Sequence, residues 1–251
     1  MVSSFLFFDL KMKGSWKIIN EDQVPLRCWW ANPLKESQHV ALILPEIFGV
    51  NFWVRSVVDR LADRGIPSLA MPLFARTAPE LNLGYSEDDL IEGRRHKDLT
   101  TTEQILTDTS AAIRWLQQQI DQPEITVVGF CFGGHAALLA ATHPEVSSTF
   151  NFYGAGVNNG RPGGGPPSLE LLPTVSGRLT CLCGSIDPLI PAPDRIAIKT
   201  ALETQDPDGK RLRYVEVDGA DHGFMCEARN SFNADASALG WRLLLEGLNT
   251  N

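Results

Sequence analysis

The sequence predicts an α/β fold in which a mostly parallel central sheet is flanked by helices on both faces. From residue 41 onward, short apolar runs alternate with helical segments, which is the rhythm of β-α-β units. The run at 125–128 is β-branched and continuously apolar, as expected of a strand buried on both faces. The chain has 251 residues, enough for one large α/β domain, and we expect residues 1–251 to form it.

Seven strands and two well-marked helices are expected. Asn51 is the predicted cap of a helix that ends at Gly65, and a second helix is predicted to start at Thr100, where Glu103 completes a capping box. The first strand precedes the alternation and is expected to be an antiparallel edge. The predicted strands are Leu26–Trp30, Val40–Leu44, Ile66–Ala70, Ile125–Phe130, Ser148–Tyr153, Leu179–Cys183 and Leu212–Val217.

Composition narrows the class of protein. A net charge of −8 argues against nucleic acid or an anionic membrane surface as the main partner. No run approaches the roughly 20 apolar residues of a membrane span, and the short apolar run at 3–8 lacks the features of a signal peptide. The five cysteines are scattered without paired CxxC spacing, which favours a reducing compartment and no structural zinc. We therefore expect a soluble, cytoplasmic protein.

The segment 154–177 is rich in glycine and proline. It could be a linker between domains, but sheet-like strands of the same composition resume after it, which favours a long surface loop within one domain. A phosphate-binding P-loop needs G-x-x-x-x-G-K-[ST] directly after a strand, and this segment has no such lysine.

A single cysteine lies where a predicted strand turns into a helix. Cys131 takes the serine position of the nucleophile-elbow pattern G-x-S-x-G, with Gly129 and Gly133 at the flanks, where a Cβ would collide with the tight turn. The residues at 135–141 are strongly helical, so the context fits the motif. The pattern indicates a nucleophile. The alternative is a small buried hydrophobic residue beside two packing glycines.

A nucleophile on such an elbow is followed in the chain by an acid and then a histidine. Of five histidines, two precede the elbow, two lie on or just beyond its helix, and only His222 lies farther downstream, in a loop directly after a strand. Asp187 follows the preceding strand and a turn glycine at the same carboxyl edge of the sheet, whereas its rival Asp194 falls on the next helix. The alternatives are a surface histidine in a glycine turn and an aspartate in an Asx-Pro turn.

Four motifs in this order resemble the dienelactone hydrolase family. They are LPEIFGVN at 44–51, GFCFGG at 129–134, GSID at 184–187 and DHGF at 221–224, and the likeness runs from about residue 40 to the C-terminus. The resemblance implies an α/β-hydrolase fold that opens enol lactones by acyl transfer to sulfur, in the manner of a carboxymethylenebutenolidase, on a small-molecule ester or lactone. It implies no metal or organic cofactor.

The resemblance also implies roles for single residues. Cys131, His222 and Asp187 correspond to the family's triad, and Glu46 to the glutamate that pairs with the nucleophile in the resting enzyme. The backbone amides of Ile47 and Phe132 correspond to the oxyanion hole. For Glu46 the alternative is a carboxylate placed before the Asn51 helix by the helix dipole.

The chain departs from the family at the substrate carboxylate, which the family holds with two arginines. One of these stands four residues after the histidine, where this chain has Cys226. Arg229 is a candidate substitute, and Arg94 and Arg95 are candidates for the other arginine.

Three functions follow. The first is hydrolysis of a lactone or a carboxylate-bearing ester, and the second is a broad carboxylesterase or thioesterase activity. The third is a non-catalytic binding module on the same fold.

Overall fold

The computed structural model describes residues 12–20, 24–33 and 37–249, and the apolar run at 3–8 lies outside them. Eight strands form one sheet in the order β1-β2-β4-β3-β5-β6-β7-β8. The strands are β1 Ser15–Ile19, β2 Leu26–Ala31, β3 His39–Leu44, β4 Ser68–Ala70, β5 Glu124–Phe130, β6 Val146–Phe152, β7 Arg178–Gly184 and β8 Leu212–Val217. The helices are α1 Phe52–Ala62, α2 Glu87–Asp98, α3 Thr102–Gln119, α4 Phe132–Ala140, α5 Ala192–Gln205 and α6 Ala234–Asn249.

The sheet is parallel from β4 to β8 and antiparallel at its β1 end. The mostly parallel α/β fold predicted from the sequence is confirmed. The expectation that β2 is the edge is wrong, because β1 pairs with its outer side. β1 gave little signal in the sequence, since only Ile19 of its five residues is buried and Ile18 is 54% exposed.

Alternating residues of β3 fall into two separate buried clusters. Ala41 and Ile43 belong to the cluster that includes α1 and α6, whereas Val40, Leu42 and Leu44 belong to the cluster that includes α3 and α4. Because successive side chains of a strand point to opposite faces, these clusters are the two sides of the sheet. The helices therefore cover both faces, and the loops at the carboxyl ends of the parallel strands remain for a site.

The helix starts differ from expectation at one position. Asn51 caps α1 as predicted, accepting a bond from the Val54 amide over 3.1 Å. The capping box of α3 is formed by Thr101 with Gln104, not by Thr100 with Glu103. Thr100 instead donates its hydroxyl to the carbonyl of His96 over 2.9 Å, so it ends α2 rather than starting α3.

The glycine-rich segment 154–177 connects β6 to β7, which are adjacent parallel strands of the same sheet. It contains a short 3₁₀ helix, Ser168–Thr174. Among the described residues, no helix is both long and apolar enough to cross a membrane.

Candidate active site

Cys131 stands at a strained turn between β5 and α4. Its φ of 56° and ψ of −120° lie in a region that side chains rarely adopt, and its amide donates to the carbonyl of Phe152 over 3.0 Å. A Cβ on Gly129 would lie 1.8 Å from the carbonyl oxygen of Gly133, and one on Gly133 would lie 2.2 Å from that of Leu44. The flanking glycines are therefore needed for this turn, which lifts Cys131 out of the core to a half-buried position.

Asp187 and His222 meet at the carboxyl edge of the sheet. His222 Nδ1 lies 2.8 Å from Asp187 Oδ2, and both residues are buried. The other oxygen, Oδ1, accepts from the Leu189 amide over 2.8 Å. Asp187 thus makes the Asx turn that was the alternative interpretation and also orients the imidazole. Asp194 lies in the first turn of α5 and accepts from Asn158 instead.

The second ring nitrogen of His222 faces the cysteine. Nε2 is buried without a well-formed hydrogen bond among the described residues, and Cys131 and His222 line the same pocket. Burial lowers the pKa of His222, but the Cys131 charge and the Asp187 hydrogen bond outweigh burial and raise the pKa to about 10. These interactions favour the imidazolium form of His222.

The other four cysteines are buried and lie in unreactive surroundings. Burial raises the pKa of Cys181 and of Cys226 to about 12, and that of Cys28 and Cys183 still higher. Such groups stay as thiols at ordinary pH, and a thiol is a poor nucleophile.

Glu46 is buried and bonded to an arginine. Arg229 Nη1 donates to Glu46 Oε1 over 2.8 Å, while Oε2 has no partner among the described residues. Burial raises the pKa of Glu46, and the charges of Arg229 and His222 only partly offset this. The resemblance implied that Glu46 pairs with the nucleophile. In this structure Glu46 pairs with Arg229, because that cation reaches it from the loop after β8.

Ile47 lies in the loop after β3 and Phe132 directly after Cys131, and the resemblance implied that their amides form an oxyanion hole. Within the described residues, neither amide donates to a backbone carbonyl, and both residues line the pocket. Helix α2 presses on this loop, since a Cβ on Gly93 would lie 2.5 Å from the carbonyl oxygen of Ile47. Two free amides beside a nucleophile are suited to bind an oxyanion.

A pocket of about 330 Å³ opens at Cys131. Arg94 and Lys97 are the eighth and eleventh residues of α2, and together with Arg229 they bring positive charge to the pocket lining. Arg95 is not part of the lining, because it points to Glu92 and forms a bidentate ion pair with it. The apolar lining residues are Ile47, Phe48, Leu90, Phe132, Ala155 and Leu189.

Sequence reasoning missed two tyrosines near the site. Tyr153 is fully buried, has a positive φ of 42° and lays its ring edge-on to His222 at 5.2 Å. The Tyr85 hydroxyl accepts from Asn51 Nδ2 over 3.1 Å and from Cys226 Sγ over 3.2 Å. Their positions depend on tertiary packing, and only the location of Tyr153 at the end of a predicted strand gave a usable signal.

Among the described residues, no group of three or more His, Cys, Asp or Glu side chains is arranged to hold a metal ion.

Comparisons with known proteins identify the family of the chain. A protein of Synechocystis sp., provisionally named a carboxymethylenebutenolidase, is 37% identical over 84% of this chain and 86% of its own length. The carboxymethylenebutenolidase of Pseudomonas putida is 29% identical over 83% of this chain and 84% of its own. A crystal structure from Klebsiella pneumoniae, provisionally named a dienelactone hydrolase, has a TM-score of 0.83 at 21% identity and covers 95% of this chain and 98% of its own. Residues 26–251 match the dienelactone hydrolase family as a whole, so the chain belongs to this family.

Proposed function

We propose that this protein hydrolyses a lactone or small carboxylic ester through a Cys131–His222–Asp187 triad. The observation that carries the proposal is the orientation of His222, which is bonded through Nδ1 to the buried Asp187 and presents Nε2 toward Cys131 on the elbow. A hydrolase of this family, which cleaves ester or lactone bonds, needs such a base beside its nucleophile.

The first half of the reaction forms a thioester. The Cys131 sulfur attacks the carbonyl carbon, and the amides of Ile47 and Phe132 receive the negative oxygen. The bond from carbon to the leaving oxygen then breaks, and the proton held at His222 Nε2 passes to that oxygen. In a lactone the leaving oxygen stays on the same molecule, so ring opening and acylation are one event.

The second half releases the acid. Water gives a proton to His222 Nε2 and attacks the thioester carbon, and the carbon–sulfur bond breaks with its electron pair on Cys131. Asp187 holds the ring in the tautomer that both halves require and stabilises the imidazolium. The cycle ends with the thiolate and imidazolium restored.

The test compares initial rates for a dienelactone, a neutral aryl ester and a short acyl thioester in the wild type and in Cys131→Ala. We expect the variant to lose roughly 10⁴-fold or more in kcat on every substrate that the wild type accepts. Turnover by Cys131→Ala at near wild-type rates would contradict the triad.

A broad carboxylesterase or thioesterase is the second candidate, and the apolar lining of the pocket favours it. It is distinguished by substrate charge, since a dienelactone hydrolase prefers an anionic substrate and a broad esterase does not. A non-catalytic module fits poorly, because the four expected positions all carry reactive groups. A thiol reagent that leaves ester turnover unchanged would revive it.

We also propose that residues 1–251 form one domain, because strands from both sides of segment 154–177 join one sheet. The cytoplasmic location, and the absence of a cofactor and of a nucleic-acid or membrane partner, stay predictions from the sequence.

A further inference from the structure

A second buried histidine lies four residues after the nucleophile and has no part in the proposed reaction. His135 Nδ1 is 3.0 Å from the carbonyl oxygen of Ala155, and Nε2 is 2.7 Å from Ser168 Oγ. Both His135 and Ser168 are buried. Since a carbonyl oxygen only accepts, Nδ1 carries the proton and Nε2 accepts from the Ser168 hydroxyl.

The neutral ring is the stable form in this position. Burial lowers the pKa of His135 to about 4, with Lys97 acting in the same direction and the Ala155 carbonyl opposing both. At neutral pH the ring therefore keeps one donor and one acceptor, which match the two partners.

The bond from Nδ1 reaches the pocket. Ala155 and Gly156 line the cavity beside Cys131 and begin the glycine-rich segment 154–177. Gly156 has a positive φ of 80°, so the chain turns sharply just after the bonded carbonyl. Further along, the segment is held elsewhere, for example where the carbonyl of Pro162 accepts from the Thr102 amide over 2.8 Å. The His135 bond therefore acts on the part of the segment that a bound ester would contact.

We propose that His135 is a positioning residue that fixes the Ala155–Gly156 wall of the pocket through its Nδ1 bond, and so sets the affinity for the ester. The proposal rests on the proposed function. His222, Asp187 and the Ile47 amide lie on other loops than this wall. Loosening the wall therefore weakens substrate binding more than it slows bond making.

Two isosteric variants separate the two ring nitrogens. In His135→Asn the amide nitrogen takes the place of Nδ1, so the bond to Ala155 is kept and that to Ser168 is lost. In His135→Gln the amide group takes the place of Nε2, so the bond to Ser168 is kept and that to Ala155 is lost. With p-nitrophenyl butyrate, we expect His135→Gln to raise KM about tenfold, the fold-change of about 1.4 kcal/mol that one hydrogen bond contributes. His135→Asn should stay within about threefold of wild type, and kcat should stay within about threefold in both.

His39→Gln is the matched control, because His39 opens β3 at the opposite end of that strand from Glu46. Ser168→Ala is a second variant, which frees the ring without changing it and should raise KM less than His135→Gln. A purely structural role would lower the melting temperature of the two His135 variants alike and leave KM unchanged. This result would overturn the proposal, and so would equal KM values in His135→Asn and His135→Gln. Cys131→Ala is assayed in parallel. Its retained turnover would contradict the triad alone, whereas an unchanged KM in His135→Gln would contradict the wall alone.

Discussion

Arg229 donates from Nη1 to Glu46 Oε1 over 2.8 Å, and this ion pair joins the loop after β8 to the loop after β3. The same two loops carry His222 and the Ile47 amide. Glu46 therefore takes one donor of Arg229, which the sequence suggested as a binder of the substrate carboxylate and which also lines the pocket. Arg94, another arginine of that suggestion, lines the same pocket.

Substitution of Arg94 should weaken the binding of anionic substrates. A charge-assisted bond to a carboxylate is worth roughly 1.5–3 kcal/mol, so Arg94→Ala should raise KM for a carboxylate-bearing ester by about tenfold or more. The matched control is Arg95→Ala, because Arg95 is adjacent in the sequence but paired with Glu92 outside the pocket. Steady-state kinetics on an anionic and a neutral ester of the same alcohol provide the measurement. Equal effects of both substitutions, or an equal effect on both esters, would remove Arg94 from substrate recognition.

Substitution of Glu46 should separate chemistry from stability. If Glu46 handles a proton in the reaction, Glu46→Gln lowers kcat by roughly 10²–10⁴, the range for loss of a general base. Burial raises the pKa of Glu46 in the fold, so the charged form is disfavoured there and the neutral amide should not destabilise the protein. Near wild-type kcat together with a lower melting temperature would instead assign Glu46 the structural role of a helix-entry carboxylate.

The raised pKa of Glu46 also sets the direction in which stability changes with pH. A carboxyl group with a raised pKa in the fold contributes most to stability below its unfolded pKa of about 4.3, and the contribution is lost as pH rises through the folded value. Relative to Glu46→Gln, the wild type should therefore become less stable from acidic toward neutral pH. Urea unfolding of both proteins at several pH values measures this, and a wild type that gains stability over that interval would show that the Arg229 pair outweighs burial.

Alkylation should be selective for one of the five cysteines. Iodoacetamide reacts with thiolates, and burial keeps Cys28, Cys181, Cys183 and Cys226 as thiols. We expect complete inactivation with one modified residue, Cys131, as found by peptide mapping. Cys226→Ser is the control, because it removes the cysteine bonded to Tyr85 and should not change the labelling. Full inactivation with Cys131 unlabelled would exclude it as the nucleophile.

The parts of the fold predictable from sequence were those with a strong local signal. Strands β3 and β5 were predictable because their own residues are continuously apolar, as buried strands require. The turn at Cys131 was predictable because its flanking glycines leave room for the close backbone contacts. β1 was missed because it is short and mostly exposed, and Thr100 was mistaken for a cap because Thr101 beside it has the same side chain.

The candidate site was predictable where chain order restricts the choice. His222 was the only histidine well downstream of the elbow helix, since His143 lies just beyond that helix, and Asp187 followed the strand before His222. The partner of Glu46 was not predictable, because Arg229 reaches it across 183 positions of sequence. The Tyr153 hydroxyl has no hydrogen-bond partner among the described residues, and this too depends on long-range packing rather than on a local pattern.

The charge state of His222 should depend on Cys131. Burial alone lowers the pKa of this ring, and its rise to about 10 comes first from the negative charge of Cys131 and then from Asp187. In Cys131→Ala the first of these is lost, so the pKa of His222 should fall well below that of the wild type, while the Asp187 bond remains. NMR titration of the His222 ring protons between pH 5 and about 10.5 measures this.

The free energy of unfolding should also depend on the interaction between Cys131 and His222. Since the folded pKa lies above the unfolded value of about 6.5, the proton on His222 stabilises the wild type fully below that pH, and the contribution is lost as pH rises through about 10. The wild type should therefore lose more stability than Cys131→Ala across that interval. His39→Gln, measured in parallel, removes a histidine at the start of β3. In this control the pKa of His222 should equal that of the wild type. If His222 kept its proton to the same pH in Cys131→Ala, Asp187 alone would account for the shift and the thiolate–imidazolium pair would be excluded.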